Sequence, residues 1–349
     1  MDNSRLTWAG FVFSTASLAA VSLAVTMAGA PAHAQETAAR QDQAVDRSAD
    51  AAWPGGADVG TVDDENVFGK NLSGLSFGGA GVLWAIDNGP GTLYRLVPSG
   101  TKWTPAEGWE SGRSLHYGDG DGDPDTEGVV ATQDGLFASV ERDNDNDDTS
   151  KQEILRFDGS SSADELDATG EWDLTADLPS SDPNSGIEGI SWLPDSYLTA
   201  HGFRDEHTGA AYDPAAYPDH GTGLYVVGLE STGDVYAYAL DQNGGGVTRV
   251  ATMSTGFPAV MDLEFEAGTG RLWAVCDDTC DGRAATLEVD GQGKLAVTGV
   301  YERPSGMSNL NNEGFAIAPD CTSGSRNVVW SDDDNDDDHA LRGGTLSCS

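Results

Sequence analysis

The 349-residue sequence predicts an all-β fold: a single β-propeller with five four-stranded blades, or six if one hairpin forms a blade of its own. A short motif supports this, in which an acidic residue and a glycine precede a brief apolar run, most clearly at 311–317. The copies centre on Ser73, Glu127, Glu188, Asp262 and Glu313, 51 to 74 residues apart. A second β-like run follows each copy, at 82–86, 136–140, 197–200, 271–275 and 328–330. Repeats of about this period, built from strands and turns, are typical of propellers.

The N-terminal segment is expected to be a cleaved export signal. Arg5 precedes an apolar run at 11–30, and Ala-His-Ala at 32–34 fits a signal-peptidase site, so residues 1–34 are predicted to be a signal peptide. A membrane anchor is the alternative, because the run is nearly long enough to span a bilayer. Residues 35–56 lack apolar periodicity and are predicted to be a flexible linker, which leaves 57–349 as one exported domain.

The charge balance is strongly acidic, with 58 Asp and Glu against 18 Lys and Arg and a net charge of −40. Such a surface repels nucleic acid and anionic membranes, so neither is expected as a partner, and a monomer is predicted. Adaptation to high salt, solubility or binding of divalent cations could each account for the acidity. The first two do not explain why the acids cluster in particular loops.

Four cysteines in an exported chain predict two disulfides. The pairs Cys276–Cys280 and Cys321–Cys348 are favoured because each closes a local unit of chain. A metal site is the alternative for the first pair, but no matching Cys or His pair follows at zinc-finger spacing.

The two ends of the chain are predicted to meet. Residues 57–71 contain a candidate strand that could pair with the C-terminal segment and complete the last blade. A propeller closed in this way has no exposed sheet edge at the junction.

An acidic, glycine-rich loop introduces the second repeat. Its carboxylates alternate with small residues; they are Asp119, Asp121, Asp123 and Asp125. Calcium requires several oxygen ligands converging in a tight loop, so this segment is a candidate calcium site. It is not an EF-hand, because Pro124 stands where that loop needs glycine. A solvated acidic turn is the alternative.

The third repeat contains a long insertion at about 200–223. Long insertions in short-loop folds are often functional, and this one includes His201, His207 and His220. A His/Asp metal or acid–base site is one interpretation, and surface histidines are the favoured one. The runs 222–229 and 234–240 predict a hairpin, which would raise the blade number to six if it stood alone.

The first strands of propeller blades line a central channel, so the acidic residues that open them should converge. Glu127, Glu188, Asp262 and Glu313 would then form a cluster that is costly unless protonated, solvated or neutralised by a cation. Calcium is the cofactor predicted here. The alternative is that each carboxylate hydrogen-bonds the backbone of a neighbouring blade. Further residues expected at the channel mouth are Asp87, Arg142, His201, Asp277, Asp332 and Arg342.

Several of these segments resemble the exported phytase-like, or "esterase-like activity of phytase", propellers, including uncharacterised actinobacterial ones. The resemblance covers about 57–349 and rests on 72–76, 93–96, 187–190, 312–317, 332–333 and 340–346. It implies that Glu127, Glu188 and Glu313 hold calcium, as acids in comparable Glu-Gly positions do in β-propeller phytases. Asp262 and Ser73 depart from the Glu-Gly pattern, and the Asp-Asp-Pro-Ala stretch that opens true β-propeller phytases is absent.

Two functions are compatible with the sequence. One is a calcium-dependent hydrolase of a phosphoester, and the other is a non-catalytic scaffold that binds a glycan, a cell-wall component or a protein outside the cell. Basic residues beside the acids would favour the hydrolase. An aromatic platform from Phe203, Tyr212 and Tyr217 would favour the scaffold. The hydrolase is preferred, and an α/β-hydrolase mechanism is not expected of it.

Overall fold

The computed structural model describes residues 50–79 and 81–348, and these form a β-propeller with five antiparallel blades. The predicted signal peptide and most of the predicted linker lie outside the described residues. In the part of the chain that is described, no helix has the length and apolar character needed to cross a membrane.

The strands follow the chain order around the ring. Strand β1 (Gly60–Thr61) belongs to the last blade. The first blade consists of β2 (Leu72–Phe77), β3 (Leu83–Asn88), β4 (Gly91–Ser99), β5 (Lys102–Pro105) and β6 (Arg113–His116). The second consists of β7 (Pro124–Thr132), β8 (Gly135–Asp143), β9 (Ser150–Phe157) and β11 (Gly170–Asp173), while β10 (Glu165–Asp167) pairs with β6.

The third blade consists of β12 (Ile187–Pro194), β15 (Gly223–Leu229), β16 (Asp234–Leu240) and β17 (Val247–Ser254). Helix α1 (Asp195–Ala200) and a ribbon of β13 (Arg204–Asp205) and β14 (Ala210–Ala211) are inserted in it. The fourth consists of β18 (Asp262–Glu266), β19 (Arg271–Val275), β20 (Ala284–Val289) and β21 (Leu295–Tyr301), and the fifth of β22 (Asn312–Ile317), β23 (Ser325–Asp332) and β24 (Leu341–Ser347). The 3₁₀ helices are Asn144–Asn146, Pro214–Ala216, Asp278–Cys280 and Asp336–Asp338.

The third blade decides the blade number. The run 197–200, predicted as its second strand, is in fact the end of α1, whose Tyr197 and Leu198 are buried. The predicted hairpin is β15–β16, and β15 pairs directly with β12. The hairpin therefore completes the third blade and does not form a sixth one.

The hydrophobic core consists of layers between neighbouring blades. Leu93 and Val129 lie in the layer between the first two blades, and Phe137 and Tyr225 lie in the next. The ring closes through a layer that joins Leu75 to Val329 of the fifth blade. Each blade buries both faces against its neighbours, which is how a propeller distributes its apolar area.

Glycines allow the inner strands to approach one another. A Cβ atom on Gly128 would lie 2.7 Å from the Glu188 carbonyl oxygen, and one on Gly74 would lie 2.5 Å from the Gly128 Cα. These contacts are too short for any side chain, so glycine is required after the channel-facing residue in these blades.

The predicted closure of the ring is confirmed. Gly60 and Thr61 of β1 pair with Gly343 and Arg342 of β24, so the fifth blade is built from both ends of the domain. The Cys321–Cys348 disulfide ties the end of β24 to the loop after β22.

Residues 50–56 pack against the propeller, although composition placed them in the linker. The Trp53 ring lies 5.4 Å from that of Trp330 and 5.6 Å from that of Trp273, and its Nε1 donates to the Thr345 carbonyl oxygen at 2.9 Å. Asp50 pairs with Arg283 at 3.2 Å. A single tryptophan among small residues produces no periodic pattern, so the sequence did not reveal this packing.

Candidate functional site at the channel mouth

Strand register places two sets of residues at one end of the channel. Leu75, Val129, Ile190, Leu263 and Phe315 pair with Ala85, Ala138, Val227, Ala274 and Trp330, respectively. The first member of each pair lies on the first strand of its blade. The residues two positions before these first members are Ser73, Glu127, Glu188, Met261 and Glu313. The second member of each pair lies on the second strand. The residues three positions after these second members are Asn88, Glu141, Glu230, Asp277 and Asp333. We call the seven acids of these two sets the mouth carboxylates.

Asp262 is displaced from this arrangement. The first strands of the other four blades are bulged beside the channel-facing residue, and β18 has no such bulge. Asp262 therefore occupies the glycine position. Its Oδ1 accepts from its neighbour Leu263 N–H and its Oδ2 accepts from Phe315 N–H of the fifth blade, both at 2.7 Å. Asp262 therefore matches the alternative given above for these acids, in which the carboxylate hydrogen-bonds the backbone of a neighbouring blade.

Asp125, Glu127 and Glu141 form the tightest part of the site. One carboxylate oxygen from each lies within 4.8 Å of the other two, and all three residues are buried. Asn88 Nδ2 donates to both oxygens of Glu127 at 3.1 and 3.2 Å, and Ser73 Oγ lies 3.1 Å from Glu127 Oε2. These contacts hold Glu127 at the boundary between the first two blades.

The remaining mouth carboxylates are close enough to repel this group. Burial, followed by the charges of Glu127, Glu141 and Glu313, holds the pKa of Glu188 well above its ordinary value. The pKa of Glu313 is likewise raised by burial and by Asp333 and other mouth acids. The carboxylates of Glu127, Glu188 and Glu313 therefore do lie within electrostatic reach of one another.

Burial also raises the pKa values of Asp125, Glu127 and Glu141, which we call the tight group. Burial raises the pKa of Glu141 to about 8, despite the hydrogen bond from Gly186 N–H at 2.8 Å. Burial also raises the pKa of Asp125 to about 6, although the adjacent Arg142 opposes this shift. Burial holds the pKa of Glu127 well above its ordinary value, with Asp125 and Glu141 adding to the effect. The site strongly favours protonation or a bound positive charge.

Arg142 supplies a positive charge next to the group. Its Nε lies 2.5 Å from Asp125 Oδ2, and its Nη1 lies 3.8 Å from Glu141 Oε1. This is the arginine that the sequence placed at the channel mouth.

The acidic loop before β7 does not gather its carboxylates with Asp125. Asp119 Oδ1 accepts from the N–H of Asp121, and both residues are exposed. Asp123 Oδ1 accepts from Gly91 N–H at 2.8 Å and so joins the loop to the first blade. Asp125 alone, at the start of β7, belongs to the tight group.

Asp87, Asp332 and Arg342 have partners of their own. Asp87 Oδ1 accepts from Gly89 N–H, and burial raises the pKa of Asp87 to about 7. Arg342 Nη2 donates to Asp332 Oδ2 at 2.9 Å within the fifth blade, and burial raises the pKa of Asp332 to about 6. The neighbouring Asp333, rather than Asp332, occupies the mouth position.

His201 lies at the other face of the ring. It follows α1, which begins where β12 ends, whereas Glu188 stands at the start of β12. The eight residues of β12 separate the insertion from the mouth carboxylates, so the two cannot form one surface.

The insertion does not present an aromatic platform. Phe203, Tyr212 and Tyr217 are all buried in the core between the third and fourth blades. His220 is also buried, and its Nε2 lies 3.1 Å from Tyr212 Oη and 3.2 Å from Asp195 Oδ1. These polar contacts fix the insertion against the blade.

Glu141, Glu230 and Asp333 are mouth residues that are not among the candidates from the sequence. Glu141 and Asp333 adjoin the expected Arg142 and Asp332, whereas Glu230 lies in a segment with a different predicted structure. The sequence predicts the second strand of the third blade at 197–200, whereas Glu230 directly follows β15, which is the second strand in the structure. The Leu-Glu pair at the end of this alternating run matches the acids that end the other second strands, and was a usable signal.

Both predicted disulfides are confirmed, with Cα–Cα distances of 5.8 Å for Cys276–Cys280 and 6.1 Å for Cys321–Cys348. The first encloses Asp277, whose Oδ1 accepts from Thr279 N–H at 3.0 Å. Because these cysteines are bonded to each other, they do not form a thiolate metal site with Asp277.

Comparison with known proteins adds little about activity. No protein-family model and no curated protein sequence matches the chain. Among solved structures, a putative oxidoreductase (glucose dehydrogenase) from Thermus thermophilus is similar at 13% identity and a TM-score of 0.43, covering 82% of this chain and 99% of that one. A periplasmic gluconolactonase from Pseudomonas aeruginosa is similar at 16% identity and a TM-score of 0.34, covering 76% and 67%. A protein of unknown function from Bacteroides caccae is similar at 9% identity and a TM-score of 0.39, covering 76% and 80%. Similarity this low carries no functional argument, and the description that stands is a five-bladed β-propeller with two disulfides.

Proposed function

We propose that this chain is an exported propeller that binds calcium at its channel mouth and acts, as phytase-like propellers do, on a phosphoester. The observation that carries the proposal is the buried group of Asp125, Glu127 and Glu141, with carboxylate oxygens within 4.8 Å of one another.

The donor set suits a hard cation. Calcium takes six to eight oxygen ligands, and carboxylates are foremost among them. Buried carboxylates at this separation repel one another, and a divalent cation would remove the repulsion. Glu313 Oε2 and Asp333 Oδ1 are buried and have no hydrogen-bond partner among the described residues. These two atoms are further candidate ligands.

Export is part of the proposal. The predicted signal peptide directs the chain out of the cytoplasm, and two disulfides are consistent with an oxidising compartment. Extracellular calcium is abundant enough to occupy sites of modest affinity.

A phosphoester substrate is preferred over a glycan or protein ligand. Arg142 lies beside the mouth carboxylates, where a basic group could bind a substrate phosphate. The aromatic side chains that would have supported the scaffold are buried in the core. A calcium ion would supply Lewis-acid activation of water and phosphate.

Calcium binding can be tested by calorimetric titration of the mature protein with CaCl₂, together with its melting temperature. We expect stoichiometric binding and a rise in melting temperature, and loss of both in Glu127→Gln. Asp121→Asn is a matched control, because it removes an exposed carboxylate from the acidic loop. If Asp121→Asn abolishes binding and Glu127→Gln does not, the site lies in the loop and the proposal is wrong.

The same titration in high sodium chloride separates specific binding from general charge screening. A rise in melting temperature with salt alone, without stoichiometric calcium binding, would indicate an acid-coated protein adapted to salt. Hydrolysis would then be assayed with p-nitrophenyl phosphate and inositol hexakisphosphate, with and without calcium. Calcium binding without phosphate release from either substrate would leave the binding proposal and remove support for the hydrolase.

A further inference from the structure

We propose that Arg142 is an internal counter-ion that a bound cation displaces, and that its released guanidinium then binds an oxyanion of the ligand. This inference rests on the proposed cation site and assigns a regulatory and binding role to a residue outside the set of oxygen ligands.

The Arg142 guanidinium contacts two carboxylates that would have to bind the cation. Its Nε lies 2.5 Å from Asp125 Oδ2 and its Nη1 lies 3.8 Å from Glu141 Oε1. Asp125 and Glu141 are two of the three residues whose oxygens lie at metal-ligand separation, the third being Glu127. The guanidinium and a divalent cation would therefore compete for the same negative charges.

Simultaneous binding would be unfavourable. A cation held by Asp125 and Glu141 would lie within a few ångströms of the guanidinium, and like charges repel strongly in a partly buried site. In the absence of the cation, Arg142 offsets part of the repulsion among the carboxylates and opposes the rise in the pKa of Asp125 and of Glu141. A cation that binds here must therefore displace the positive charge of Arg142.

Arg142 also differs from a purely structural arginine in the same protein. Arg342 donates to Asp332 and to the backbone carbonyl oxygens of His339 and Asp336, at 2.7 to 2.9 Å. The contacts that hold the Arg142 guanidinium are with the two carboxylates of the proposed site. Its side chain is 19% exposed, against 8% for Arg342, so it has access to the channel mouth after displacement.

A displaced guanidinium would be well suited to an oxyanion. Arginine binds phosphate and carboxylate groups through paired N–H donors, and the cation beside it would attract the same group. The ligand class is therefore a small molecule with a phosphate or carboxylate, whose binding depends on calcium. Without the cation, the mouth carboxylates would repel it.

Calorimetric titration with CaCl₂ tests the competition in the wild type, Arg142→Gln, Arg142→Lys and Arg342→Gln. We expect Arg142→Gln to bind calcium about fivefold more tightly or better, because the competing charge is gone. Arg142→Lys should give a smaller gain, since an ammonium cannot reach both carboxylates in the same way. Arg342→Gln, the control, should lower the melting temperature without tightening binding.

Weaker or unchanged calcium binding in Arg142→Gln would overturn the inference and assign Arg142 a structural role. If Arg142→Gln does not fold, Arg142→Lys decides by the same criterion. Absence of calcium binding in the wild type and all variants would instead contradict the proposed function itself.

Inorganic phosphate serves as the probe for the second half of the inference. The wild type should bind phosphate in the presence of calcium and not in its absence. Arg142→Gln should bind calcium more tightly and yet lose most of the calcium-dependent phosphate binding. Phosphate binding that is equal in the two proteins, or independent of calcium, would contradict an oxyanion-binding role for Arg142.

Discussion

Asp262 Oδ2 accepts a hydrogen bond from the Phe315 N–H at 2.7 Å, across the boundary between the fourth and fifth blades. Asp262 is fully buried, and its other oxygen accepts from the N–H of Leu263. This acid joins two blades, whereas Glu127 and Glu188 belong to the mouth carboxylates.

We therefore expect Asp262→Ala to destabilise the protein without changing its calcium affinity. The substitution leaves two buried backbone N–H groups without an acceptor, and each such loss costs about 1 to 3 kcal/mol. Urea denaturation would measure the free energy of unfolding, and calorimetry the calcium affinity. A loss of calcium binding in a folded Asp262→Ala protein would place Asp262 in the site after all.

Stability without divalent cations should decrease as the pH rises. The pKa of Glu141 is raised from 4.5 to about 8 and that of Asp125 from 3.8 to about 6, so the folded state binds protons more tightly than the unfolded state. The stabilisation is complete below the unfolded pKa values and is lost as the pH rises through the folded ones. We expect a decrease on the order of a few kcal/mol between about pH 5 and 8 in EDTA.

Calcium should reverse this trend, because it binds the ionised carboxylates and gains affinity as they lose protons. Denaturation at several pH values with EDTA and with calcium would show it. Glu264 is an internal comparison: burial raises its pKa to about 8, but it lies away from the mouth carboxylates and accepts from Ile317 N–H. Glu264→Gln should flatten part of the pH dependence and leave the calcium effect intact. A stability that rises with pH in EDTA would contradict the assignment.

The two disulfides should contribute unequally to stability. Cys321 and Cys348 are 27 residues apart in sequence, and Cys276 and Cys280 are 4 apart. A longer closed loop restricts the unfolded chain more, so replacing the first pair with serine should cost about 3 to 4 kcal/mol and the second about 2 kcal/mol. Denaturant unfolding of the two double variants gives the comparison. Equal losses would show that native contacts, rather than loop closure, determine these values.

Trp53 should be needed for full stability. Its ring packs against Trp273 and Trp330, and its Nε1–H is bonded to the Thr345 carbonyl oxygen. We expect Trp53→Ala to cost about 3 kcal/mol, as for other large-to-small changes in packed regions. Val67→Ala, at an exposed apolar position, is the control and should change stability little. An unaffected melting temperature in Trp53→Ala would show that residues 50–56 behave as the linker that composition predicted.

The propeller, its closure by both chain ends and the two disulfide pairs can be predicted from the amino-acid sequence alone. These features depend on local patterns. The repeat of short strands, the glycine after the inner residue of four blades and the spacing of the cysteines can all be read from the sequence. The sequence also indicated Glu127, Glu188 and Glu313 as residues of one channel, because the first strand of every blade has the same place in the ring.

Which other residues join these three acids at the channel mouth depends on details of strand register that are seen only in the folded chain. Because β18 lacks the bulge of the other first strands, Asp262 takes the glycine position. Because the predicted strand at 197–200 is part of α1, the acid that follows the actual second strand, Glu230, is not found from the repeat pattern. Arg142 on β8 contacts Asp125 near the start of β7. The pairing of these two strands shifts register on both sides of Thr126, close to this contact. A one-residue change of register alters which side of a strand a residue faces, and periodicity in the sequence cannot resolve a shift that small.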